Sequence, residues 1–69
     1  MKLTDPKIIA AMKARLLVST KIRRITYFAA LSKVGGKDVL GFFINVNGES
    51  FEIVPPLELL ECDMWEIVA

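Results

Sequence analysis

Residues 25–53, ITYFAALSKVGGKDVLGFFINVNGESFEI, carry two dipeptides, Gly35-Gly36 and Asn47-Gly48, each set between segments rich in apolar residues. Both suit a two-residue type I′ hairpin, which needs positive φ at both central positions. With Gly35-Gly36 as the turn, Leu31 faces Leu40, Ala29 faces Phe42, Tyr27 faces Ile44 and Ile25 faces Val46. With Asn47-Gly48 as the turn, Ile44 faces Phe51 and Phe42 faces Ile53, which extends the same face onto a third strand. A slip of one residue would send all these side chains to the other side, so the agreement of two separate turns fixes the register. The stretch predicts a three-stranded antiparallel meander. A competing reading makes Lys21 to Val34 a helix ended by the glycine pair, giving a helix-turn-helix with a hairpin wing. The run of Ile22, Ile25, Thr26, Tyr27 and Phe28 favours the strand, because β-branched and aromatic side chains fit a pleated surface.

On the N-terminal side, Asp5-Pro6 opens a helix. Asp accepts backbone N–H groups as N-cap, and proline at the first helical position gives up a donor that had no partner. Ile8, Ile9, Met12 and Leu16 form its apolar stripe, and Ser19-Thr20 ends it near Val18. On the C-terminal side, after Pro55-Pro56, Leu57 to Val68 reads as a second amphipathic helix with Leu57, Leu60, Met64, Ile67 and Val68 on one side and Trp65 bordering them. The alternative for this segment is a short terminal strand from Met64 to Val68, which would add a fourth strand. The fold class expected is α+β, in the order α-β-β-β-α, with residues 1–69 forming one small domain.

The second face of the meander is unusual for one that meets water. Phe28 pairs with Phe43, beside Ala30, Gly41, Val39 and Val54. A solvated face of an antiparallel sheet is normally polar, so this one calls for a cover, either the C-terminal helix or another molecule. Phe28, Phe43, Val39, Val54 and Trp65 are accordingly the candidate partner-binding residues. The composition points the same way: 54% of the residues are apolar, and the mean hydropathy is +0.47. A chain of this length buries only about 60% of its unfolded surface and needs a disulfide, a metal or an oligomer contact as a supplement. Cys62 is the only cysteine and there is no histidine, so association is the supplement expected.

Charge is unevenly spread. Residues 1–37 hold all nine bases and one acid, a net of +8, while residues 38–69 hold seven acids and no base, a net of −7. Acidic and basic elements packed side by side would neutralise this internally. Alternatively Lys21, Arg23, Arg24, Lys33 and Lys37 would bind nucleic acid, with Phe28 and Phe43 as stacking platforms. Catalysis has little to work with. Histidine, the commonest general base, is missing, and no phosphate loop or nucleophile elbow is present. Cys62 lies between the acids Glu61 and Asp63, with no base beside it in sequence, and reads as a plain thiol and not a nucleophile. The acids Glu58, Glu61, Asp63 and Glu66 lack the glycine-turned loop of a calcium site and read as a solvated face.

No run approaches the roughly 18 apolar residues of a membrane span, and Lys13 and Arg15 interrupt the Ile8 to Val18 segment against a signal-peptide reading. With its lone thiol, the chain is expected to be cytoplasmic. The function expected is that of a non-catalytic protein–protein interaction module, a small regulator or accessory subunit, homo-oligomeric and without cofactor or metal. A small nucleic-acid-binding protein is the alternative.

Overall fold

The computed structural model describes residues 1–68. Its elements run α1 (Pro6–Lys13), β1 (Leu17–Ile22), β2 (Ile25–Val34), β3 (Lys37–Val46), β4 (Glu49–Ile53), α2 (Leu57–Leu60) and β5 (Glu66–Val68). The five strands form one antiparallel sheet in the order β4-β3-β2-β1-β5, a four-stranded meander with β5 added beside β1. The α+β class and the antiparallel meander are therefore present, with five strands where three were expected. No helix among the described residues is long and apolar enough to cross a membrane.

The two signalled hairpins have the anticipated register. Tyr27 faces Ile44, Ala29 faces Phe42, Leu31 faces Leu40 and Phe28 faces Phe43, while β4 sets Phe51 against Ile44 and Ile53 against Phe42. Gly35, Gly36, Asn47 and Gly48 all take positive φ, as a type I′ turn demands. The Ile25–Val46 pair does not form, because Ile25 instead closes a third tight hairpin against Ile22.

That hairpin is the first correction. Helix α1 starts as expected, with the Asp5 carboxylate accepting from the Lys7 N–H at 2.8 Å, but it ends at Lys13 and not near Val18. Leu16 N–H donates to the Ala11 carbonyl and Arg15 N–H to that of Met12, a Schellman closure with Arg15 at φ 66° in the left-handed position usually held by glycine. The chain thus reverses five residues early, and Leu17–Ile22 becomes β1. The buried face of α1 is Ile8, Ala11 and Met12. Ile9 and Leu16, assigned to the stripe from sequence, are exposed.

The second correction is at the C-terminus. The expected helix from Leu57 to Val68 is a single turn, α2, and the alternative of a terminal strand holds over Glu66–Val68. Tertiary packing overrides the helical pattern here. Trp65 turns inward and is fully buried, with its indole N–H 3.4 Å from the Leu59 carbonyl and its backbone N–H donating to Met1 at 2.8 Å. Thr20, buried on β1, donates its hydroxyl to the Met64 carbonyl at 3.2 Å. Cys62 Sγ accepts from the Met64 N–H.

The core lies on one side of the sheet, here called the covered face. Val18, Ala29 and Phe42 form its floor, and Ile8, Ala11, Met12, Leu59 and Trp65 form its roof. Phe42 and Trp65 meet edge to face, with ring centroids 6.2 Å apart, an arrangement the aromatic quadrupole favours.

Candidate functional site

Side chains alternate along each strand, so the residues between the core positions point to the opposite face. One row across that face reads Glu66, Ser19, Phe28, Phe43, Glu52. The adjoining row holds Val68 beside Leu17 and Ala30 beside Gly41, and Val39 lies opposite Ser32 in the row beyond. No helix packs on this side. Leu17, Val39 and Val68 are exposed, and Phe28, Ala30 and Phe43 are half-buried.

Gly41 shapes the centre. A Cβ built on it would stand 2.9 Å from Phe43 Cζ and 3.0 Å from Cε2, so the Phe43 ring leans along its own strand and lies over the bare glycine. The result is a low aromatic floor. A side chain at 41 would have to displace the ring from this position. Leu17, Phe28, Ala30, Phe43, Asn45 and Ser50 line a shallow groove there.

Of the candidate partner-binding residues, Phe28, Phe43 and Val39 share this open face. Val54 lies just past the end of β4 and is 91% exposed. Trp65 is a correction: it is wholly enclosed on the covered face, so the folded chain leaves it no surface to offer. Leu17 and Val68 also belong to the open face, although the helical pattern of the sequence puts both in helices. The alternation in Leu17–Ile22, with Val18, Thr20 and Ile22 on one side and Leu17, Ser19 and Lys21 on the other, was the signal available.

The five candidate nucleic-acid residues are dispersed. Arg23 and Arg24 form the β1–β2 turn, whereas Lys33 and Lys37 flank the Gly35-Gly36 turn at the other end of β2, some ten residues or about 33 Å away. Lys21 lies between, on the open face. Arg23 holds Glu58 with two contacts of 3.0 and 3.1 Å, tying the turn to α2. Arg24 has no ion-pair partner among the described residues and borders a groove with Thr26, Phe28 and Asn45. Arg15 pairs with Asp38 at 3.3 Å. Both ion pairs join the basic part of the chain to the acidic part, as internal neutralisation requires.

Cys62 is half-buried, 3.2 Å from the Thr20 hydroxyl. Among the described residues, no three Cys, Asp or Glu side chains converge as a metal site would need. Compared with known proteins, the chain matches no family model, and no curated protein or solved structure is significantly similar to it.

Proposed function

We propose that this protein is a non-catalytic protein–protein interaction module that works through the open face of its sheet and self-associates there. One observation carries the reading: both helices and Trp65 lie on the same side, leaving an apolar surface of Leu17, Phe28, Ala30, Val39, Phe43 and Val68 without cover. Single exposed apolar residues are ordinary, but a contiguous group built on a rigid sheet is a recurrent mark of an interface. Acidic ends on the Phe28–Phe43 row, at Glu52 and Glu66, supply the polar rim that such interfaces carry.

The test is the mass of the wild type and of Phe43→Glu by light scattering from about 5 to 200 μM, a range that detects micromolar association. The wild type is expected to gain mass with concentration. The variant is expected to stay monomeric with an unchanged circular dichroism spectrum, because a carboxylate tolerated on a solvated face cannot be buried without a partner. A wild type that remains monomeric at 200 μM contradicts the reading. Salt-sensitive oligonucleotide binding in its place, lost on Arg23→Gln with Arg24→Gln, would support the nucleic-acid alternative.

A further inference from the structure

We infer that the outer edge of β4 is a second docking surface, which takes an extended basic peptide as an added strand. β4 is the outermost strand of the sheet, and Glu49, Ser50, Phe51 and Glu52 are all exposed on it. The Asn47-Gly48 turn decides which of its backbone groups are free. In a two-residue hairpin the flanking pair, here Val46 and Glu49, exchanges both ladder bonds, and bonded and non-bonded pairs then alternate along the strands. Phe51 and Ile53 therefore bond to Ile44 and Phe42, whereas the N–H and C=O groups of Ser50 and Glu52 point away from β3.

An unpaired edge of this kind is a template for another strand, and proteins usually blunt it with proline, lysine, a bulge or a covering element. β4 has none of these: its sequence is ESFEI, and its pairing with β3 runs without a break from Glu49 to Ile53. The opposite edge of the sheet differs. β5 has only three residues, and Trp65 just before it exchanges bonds of 2.8 and 2.9 Å with Met1.

Charge and side-chain alternation name the occupant. A strand bonded to Ser50 and Glu52 lies about 4.8 Å beyond β4, with its side chains alternately on the two faces of the sheet. On the open face they meet Ser50 and Glu52, and on the covered face Phe51, 48% exposed, and Ile53. Glu49 adds a second acid at the start of the strand. Neither acid has an ion-pair partner among the described residues, and residues 38–69 contain no base. Opposite charges on neighbouring strands attract and like charges repel, so these acids reject an acidic strand and select one with lysine or arginine on one side and apolar residues on the other. Pro55-Pro56, without N–H groups, end the edge beyond Val54.

This surface is separate from the open face, so a wild type that stays monomeric contradicts the proposed self-association and leaves the present inference standing. The probe is a capped peptide of about eight residues alternating lysine and valine, which sets cations beside Glu52 and apolar side chains beside Phe51. At about ten times its Kd, it is expected to slow solvent exchange of the Ser50 and Glu52 amide protons about tenfold by NMR, with Phe51 and Ile53 as references already bonded to β3. Methylating the peptide nitrogens that face β4, or replacing lysine by glutamate in the peptide, is expected to abolish the effect. Ser50→Pro removes an outward donor but no ladder bond, and is expected to weaken binding with the fold retained. No binding at about 1 mM peptide, binding that leaves exchange at Ser50 and Glu52 unchanged, or equal slowing by the glutamate peptide would each overturn the inference. Slowing that follows protein concentration without peptide would put a second copy on the edge, and overturns it likewise.

Discussion

The two faces of the sheet are built from the same strands and similar residue types, yet only one carries a roof, and that roof closes the part around Val18, Ala29 and Phe42 while Ile25, Val46 and Phe51 on the same side stay exposed. On the covered face, a bulky indole and an eight-residue helix meet Val18, Ala29 and Phe42, and the central side chains lose all contact with water. On the open face, the aromatic pair has no roof and Phe43 gains shelter only by leaning on Gly41. The difference teaches that apolar content alone does not identify core. What decides is where the connections send the helices, and here the early turn at Arg15 and the inward turn at Trp65 place all of them on one side.

The contrast can be broken by equivalent truncations on each side. Trp65→Ala should cost about 3–5 kcal/mol in a denaturant melt, since it removes the largest enclosed side chain and leaves a cavity. Phe28→Ala should cost the monomer only about 1 kcal/mol, because its site is open and leaves no enclosed void. Equal losses at the two positions would mean that the open face is core.

A smaller effect, of opposite sign, is expected at the β1–β2 turn. Arg24 has φ 69° with no ion-pair partner among the described residues, so Arg24→Gly relieves left-handed strain worth about 1–2 kcal/mol at the expense of about 0.5–1 kcal/mol of added chain entropy. The variant should be more stable by about 0.5–1 kcal/mol in a denaturant melt. Loss of stability would mean that the arginine side chain contributes more than the turn costs.

The same turns explain what the sequence could reveal. Gly35-Gly36 and Asn47-Gly48 announce positive φ, and the β2–β3–β4 register follows from them residue by residue. Arg15, Arg23 and Arg24 take the same conformation without any such residue, so the sequence pattern carries the helix on to Val18 and leaves strand β1 and the first hairpin unmarked. Its spacing puts Trp65 at a helix margin, and only its tertiary burial shows otherwise. The Phe28–Phe43 pair was legible because it depends on the two glycine-marked turns. Leu17 and Val68 were hidden by the unmarked ones.

The most direct test of the central claim compares apolar residues of equal exposure on the two faces. In the monomer, Leu17, Val39 and Val68 on the open face are 45%, 44% and 37% accessible, and Leu40 and Ile67 on the covered face are 39% and 41%. Methyl relaxation by a soluble nitroxide, measured from about 10 to 500 μM protein, reads each site separately across the range where micromolar association occurs. Leu17, Val39 and Val68 are expected to lose relaxation as concentration rises, while Leu40 and Ile67 keep theirs. Relaxation that does not change at any site, or that falls at Leu40 and Ile67 instead, would contradict the account.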